Sequence, residues 1–326
     1  MSLADKVSTL FMVQLPGTDP APLEAYLAAN RPAGLLLLGS NIPATAAELS
    51  GQLSGLGITT GLKPLIAVDE EGGDVTRLPE DDFAGADRLK SLPVSATTDA
   101  FTQRAALLES AGISVNFGTV ADVTSDPASF IFDRVLGTDP SSAGERVGAS
   151  VAAQNGSVFA TLKHFPGHGE TKADSHTTIP STGITFAQWQ SQDAPPFQSG
   201  IDTGAPLVMF GHLTYAAVDS APASLSQRWH EILRGELGFT GIAITDDMLM
   251  LQDSGDPSYS DQAANAVRAV AAGNDILLYN SAIDMAPSVA AIMAAVKSGQ
   301  IAEAQIDESV VRVLSLQRAA WLQAAS

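Results

Sequence analysis

Eight short apolar runs recur along the chain, and within each run hydrophobic residues follow one another without alternating with polar ones. They lie at 9–14 (TLFMVQ), 33–38 (AGLLLL), 64–69 (PLIAVD), 113–117 (ISVNF), 158–163 (VFATLK), 206–211 (PLVMFG), 241–245 (GIAIT) and 274–279 (NDILLY). Short runs rich in Val, Ile and Leu fit strands buried on both faces. Segments of helical period separate them at 44–56, 101–111, 142–154, 226–237, 260–272 and 284–298, and a last helix is expected over 305–323. Repeated β–α alternation predicts an α/β fold, a parallel sheet closed into a (β/α)8 TIM barrel. An open doubly wound sheet is the alternative, but no GxGxxG follows the first strand. The stretch 79–97 is the least periodic and reads as loop. No internal repeat, low-complexity tract or long Pro/Gly linker divides the chain. Residues 1–326 are therefore expected to form one catalytic domain.

Composition narrows the partners. The net charge of −19 repels nucleic acid and anionic membrane surfaces, and 45% hydrophobic residues are enough for a large core. There are no cysteines, so disulfides, thiolate nucleophiles and cysteine-bound metals are excluded. No apolar run approaches the ~20 residues needed to span a bilayer, and no charged-then-apolar leader precedes the first strand. The expectation is a monomer acting on a small molecule. A cytoplasmic location is expected, with an exported or lipid-anchored form as the alternative.

Chemistry in a barrel gathers at the carboxyl ends of the strands, and the ionisable residues fall there. The third run ends in Asp69, and the fourth is followed by Asp122. The fifth ends in Lys163 and His164, the sixth leads into His212, and the seventh leads into Asp246 and Asp247. Any one of these alone reads better as a cap or turn residue, but five successive strand ends are harder to explain that way. The segment KHFPGHGETKADSH (163–176) holds three of the five histidines, and its Pro166, Gly167 and Gly169 make its first half a loop. Asp174 lies two positions before His176, where a tight turn lets it hold the imidazole in one tautomer for proton transfer. His164, His168, Asp174, His212 and Asp246 could be assembled into a zinc site, but the first strand carries no HxH. Neither metal nor cofactor is expected. No GxSxG elbow supports a serine hydrolase.

The run KHFPGHGETKADSHTTIP (163–180) resembles the signature of glycoside hydrolase family 3, specifically its β-N-acetylglucosaminidase branch. VDEEGGDVTRL (68–78), GISVNFGTVADV (112–123), DRVLGTD (133–139) and PASLSQRWHEILRGELGFTGIAITDDM (222–248) are similar to further family segments and come in family order. The resemblance implies Asp246 as nucleophile, His176 as acid/base and Asp174 as its partner. It implies Asp69, Arg134, Lys163 and His164 as groups holding the sugar's hydroxyls and acetamido group, with His212 lining the same pocket. Glu70, Asp74, Asp133 and Leu136 depart from the family's usual Gln or His, Arg, Asn and aromatic residue, and they make the rim more acidic.

The implied reaction is retaining hydrolysis of terminal β-linked N-acetylglucosamine, from muropeptide or chitin fragments, through a covalent glycosyl-enzyme. The implied cellular role is peptidoglycan recycling. Two rivals are a phosphorylase on the same scaffold and a non-enzymatic sugar-binding barrel.

Overall fold

A computed structural model describes residues 1–56, 62–171, 173, 175 and 177–324. Its centre is a closed barrel of eight parallel strands. They are β1 (Phe11–Gln14), β2 (Gly34–Leu37), β3 (Leu65–Val68), β4 (Val115–Val120), β5 (Phe159–Phe165), β6 (Leu207–Phe210), β7 (Ile242–Asp247) and β8 (Ile276–Tyr279). Each strand pairs with its neighbours in chain order. Closure comes from β1, which pairs with β2 (Met12 opposite Gly34) and with β8 (Phe11 opposite Leu277). All eight expected strands form, and β4 and β5 run further than their apolar runs suggest.

Alternate strand residues point inward. Met12, Leu36, Leu65, Ala67, Val115, Phe117, Leu207, Met209, Ile242, Ile244, Ile276 and Leu278 pack into one interior cluster. The other strand face packs on the surrounding helices through two larger clusters. The C-terminal helix Glu303–Gln323 adds Val313 and Leu316 to the interior cluster. Its Gln317 side chain donates to Ala33 O, just before β2, and its Ser309 and Arg312 donate to Asp275, just before β8. This helix therefore sits over the amino-terminal mouth and leaves the carboxyl ends free for chemistry.

The helical reading needs several corrections. The stretch 79–97 is not all loop, because it holds the short helix Ala86–Leu89 and the start of the helix Val94–Ser110, expected only from residue 101. The buried face of that long helix includes Thr97 and Arg104, so polar residues hide its apolar period. The helix Pro20–Asn30, capped by Asp19, buries only Leu23 and Leu27 and gives little periodic signal. Phe186–Gln192 and Ala194–Asp202 are further helices absent from the sequence reading. A small parallel pair, Ser181–Thr182 with Thr214–Tyr215, ties the segment after β5 to the one after β6. No helix among the described residues is long and apolar enough to cross a membrane.

Candidate active site

The strand residues at the carboxyl end continue the inward series. Leu65 and Ala67 lead to Asp69 and Glu71, Ile242 and Ile244 to Asp246, and Ile276 and Leu278 to Asn280. On β5 both Lys163 and His164 reach the cavity. The β5–β6 register slips there: Leu162 faces Val208, but Phe165 faces Phe210, so β5 carries one extra residue. A bulge of this kind re-aims a side chain at a strand end.

One wall is an ion-pair network. Glu71 receives two hydrogen bonds from Arg134, Nε at 2.9 Å and Nη2 at 2.7 Å, and an ammonium contact from Lys163 at 2.7 Å. Lys163 also bonds Asp69 at 2.8 Å. Burial opposes the charge on Glu71, but Lys163 and Arg134 outweigh it and hold the carboxyl down at about 2. Burial likewise opposes the charge on Lys163, and Asp69 and Glu71 overcome it, so the amine's pKa is raised.

Glu70 points the other way. It is fully buried and accepts the N–H groups of Arg77 and Leu78. Burial, and then the neighbouring Asp81, push its pKa up to about 8, so it is protonated at neutrality. Asp81 is paired with Arg104 at 2.6 Å, and neither side chain is exposed. The intervening turn is closed by a Gly72–Val75 bridge. Gly72 has φ +82°, and a Cβ there would lie 2.0 Å from Arg104 Nη2. Only glycine fits.

A second network roots the loop after β5. Buried Asp122 accepts His164 Nδ1–H at 2.7 Å on one oxygen. Its other oxygen accepts the backbone N–H groups of His164 and His168 at 3.2 and 2.7 Å. Burial works against the Asp122 charge, but His164 and these bonds keep its pKa low. Trp189 Nε1 donates to Pro166 O at 2.8 Å and the Tyr215 hydroxyl to Gly167 O at 2.6 Å. Burial lowers His168 to about 4, so its ring is neutral.

The two acids of β7 face different surroundings. Asp246 lines the cavity and accepts Asp247 N–H at 2.8 Å. Burial raises its pKa, while His164, His212, that N–H and Lys163 lower it further, so it is held ionised. Asp247 faces away. Its Oδ1 accepts Leu249 N–H and Asn280 N–H, both at 3.1 Å, and burial raises its pKa to about 6. It fixes the end of β8 and the turn after β7.

The cavity, about 160 Å³, thus brings together Asp69, Arg134, Lys163, His164 and Asp246. His212 is not among its lining residues. It is buried, with Nε2 2.8 Å from Asp247 O and Nδ1 2.6 Å from Ser224 Oγ. Asp174 and His176 lie outside the described residues, although Ser175 between them lines the cavity. Sequence reasoning passed over Glu71, Arg77, Phe130 and Asn280, and considered His168 only as a loop histidine or a member of a zinc site. The two-residue spacing of Asp69 and Glu71 was the available signal for Glu71. Among the described residues no cluster of His, Asp and Glu is placed to hold a metal ion.

Comparison with known proteins gives this geometry a context. A β-hexosaminidase of Bordetella avium (strain 197N) is 35% identical over 271 residues, 78% of this chain and 75% of that one. The structure of a glycoside hydrolase family 3 β-N-acetylglucosaminidase from Paenibacillus sp. str. FPU-7 superposes with a TM-score of 0.90 at 28% identity. It covers 98% of this chain, which spans only 63% of the Paenibacillus chain. The β-N-acetylhexosaminidase of Beutenbergia cavernae DSM 12333 gives a TM-score of 0.84 at 28% identity, covering 97% of this chain and 98% of that one. The model of the glycosyl hydrolase family 3 N terminal domain matches from residue 2 to residue 316, so nearly the whole barrel and its charged cavity fall within it, and the chain belongs to glycosyl hydrolase family 3.

Proposed function

We propose that this barrel is a retaining β-N-acetylglucosaminidase that releases terminal β-linked N-acetylglucosamine from cell-wall or chitin fragments. The observation that carries this reading is the placement of an ionised Asp246 across one cavity from the Asp69–Lys163–Glu71–Arg134 network and His164. β7 and β3 stand on opposite sides of an eight-strand barrel. A sugar whose anomeric carbon meets Asp246 therefore directs its far hydroxyls at that network, which offers both donors and acceptors.

In the first step a carboxylate oxygen of Asp246 bonds to the anomeric carbon as the glycosidic C–O bond breaks. We assign His176 as the group that gives the departing oxygen its proton, and Asp174 as the group that orients His176. In the second step His176 takes a proton from water, the water oxygen bonds to the anomeric carbon, and Asp246 is released. His164, His212, the Asp247 N–H and Lys163 together favour the ionised form of the nucleophile. The carboxylate-separation rule for glycosidases applies to two carboxyl groups and is not used for a carboxylate–histidine pair.

Turnover of a chromogenic aryl N-acetyl-β-glucosaminide, run with and without phosphate and against the aryl glucoside, tests the activity. Proton NMR of the first-formed product tests the stereochemistry. Release of the β-anomer supports the reading, and the α-anomer refutes a covalent intermediate. Sugar 1-phosphate as the main product would mean a phosphorylase.

A further inference from the structure

His168 has its backbone and one ring nitrogen fixed, and its other ring nitrogen is unpartnered. Its N–H is bound to Asp122 at 2.7 Å, and the Phe130 ring packs edge-on against the imidazole at 4.6 Å. The Thr171 hydroxyl donates to His168 O at 3.1 Å, which uses its single proton. With that proton so used, the 2.8 Å contact between Thr171 Oγ1 and His168 Nδ1 is assigned as running from Nδ1–H to the hydroxyl oxygen. In this tautomer Nδ1 carries the proton, and Nε2 presents a bare lone pair. Nε2 is buried without a hydrogen-bond partner, and His168 lines the same cavity as Asp246.

We propose that His168 Nε2 accepts the amide N–H of the substrate's 2-acetamido group, with Phe130 and Met209 as apolar surface for its methyl, and so selects acetamido sugars over plain glucosides. The inference rests on the glycosidase reading above. Its logic is a match of valence. An amide N–H only donates; a 2-hydroxyl can donate as well, but it carries no acetyl methyl to pack on Phe130 and Met209. The neutral Nε2 of this tautomer only accepts. The cavity's carboxylates, Asp69, Glu71 and Asp246, are occupied by cations or by the reaction itself; of its two unpartnered buried acceptors, His168 Nε2 and Asn280 Oδ1, the first packs against the Phe130 ring. Burial holds the His168 ring neutral down to about pH 4, so the acceptor persists across the working range. A ligand with no donor at this position, such as a 2-O-acetyl ester, leaves Nε2 buried and unpaired, and such a site rejects it far more strongly than one that merely lacks a contact.

The test uses the whole chain and three aryl β-glycosides, namely the N-acetylglucosaminide, the glucoside and the 2-O-acetyl glucoside, in which an ester oxygen replaces the N–H. His168→Phe keeps a ring beside Phe130 and removes the lone pair. We expect kcat/KM on the N-acetylglucosaminide to fall roughly 10- to 100-fold, the cost of an unpaired buried donor, mainly through KM. The 2-O-acetyl glucoside, which has no donor at this position, should change less than about 3-fold, and the glucoside should lose less than the N-acetylglucosaminide. Thr171→Val frees the tautomer and should cost the acetamido substrate alone a smaller factor, with Thr171→Ser restoring it. This second pair decides the matter if His168→Phe does not fold. Equal losses on all three substrates, or an unchanged preference, overturns the proposal. A wild-type protein that cleaves no N-acetylglucosaminide overturns the glycosidase reading with it, whereas an active wild type with an unmoved His168→Phe preference overturns this inference alone.

Discussion

Two adjacent glutamates should respond oppositely to the same substitution. Glu71→Gln removes a charge that pairs with both Arg134 and Lys163 in a site where Glu71 is only 4% exposed. Lys163 then keeps Asp69, and Arg134 loses its two-pronged partner. The pKa depression from 4.5 to about 2 corresponds to roughly 3 kcal/mol. Breaking a buried pair typically costs about 3–5 kcal/mol. For a chain of 326 residues the unfolding entropy is about 0.7 kcal/mol per kelvin, so Tm should drop by roughly 4–7 °C. Because the folded pKa is depressed, this stability is fully present above about pH 4.5 and is lost as pH falls through about 2. The gap between variant and wild type should therefore hold at pH 5–8 and close in acid. Glu70→Gln should behave differently. Glu70 stays protonated in the fold up to about pH 8, whereas in the unfolded chain it ionises near the ordinary 4.5. Wild-type stability therefore falls as pH rises through that window, and the glutamine, with no proton to lose, escapes the penalty. Glu70→Gln should melt at or above wild type at pH 8, with the advantage shrinking toward pH 5. Calorimetry of both variants at pH 5 and 8 is the measurement. A Glu71→Gln protein within 1 °C of wild type at both values, or a Glu70→Gln protein that loses more than Glu71→Gln, refutes the reasoning.

Asp246→Asn should abolish turnover by roughly 10³-fold or more at unchanged Tm, whereas Asp247→Asn, which still accepts from Leu249 and Asn280, should cost less than about 10-fold; the reverse order would exchange their roles. His176→Ala should slow substrates with poor leaving groups far more than activated aryl glycosides, and azide should rescue deglycosylation; equal losses on both substrate types would remove His176 from proton transfer. Gly72→Ala should destabilise the protein by roughly 3–5 kcal/mol, because the new methyl meets Arg104 inside its buried pair with Asp81; a wild-type melting curve would contradict that packing. Prolonged EDTA treatment should leave N-acetylglucosaminidase activity unchanged, since the Lys163 ammonium and Arg134 guanidinium already hold the cation positions beside Asp69 and Glu71; loss of activity restored by zinc would revive a metallohydrolase.

The barrel was legible because parallel strands hidden on both faces must be written as unbroken apolar runs, and a surrounding helix is not under that constraint. Pro20–Asn30 buries two leucines, and Val94–Ser110 hides its period behind Thr97 and Arg104, so neither announced itself. Within the site, Asp69, Lys163, His164 and Asp246 were legible as residues at strand ends, and Arg134, in the loop after β4, only through resemblance. Glu71, Glu70 and Asp247 show how much further strand alternation alone reaches. Leu65 and Ala67 point inward, so Asp69 and Glu71 must line the cavity and Glu70 must be buried behind it. Ile242 and Ile244 point inward, so Asp246 lines the cavity and Asp247 turns away from it. Extending the two-residue period of each apolar run past its polar end therefore sorts a pair of neighbouring acids by which one faces the cavity. The rule fails where the register fails. On β5 the extra residue between Leu162 and Phe165 turns both Lys163 and His164 to the same side. No hydrophobic pattern records that bulge, because the residues that make it are the polar ones the cavity needs. The same limit applies to His168: its spacing gives it no face, and its exposed valence depends on where the proton of Thr171 goes.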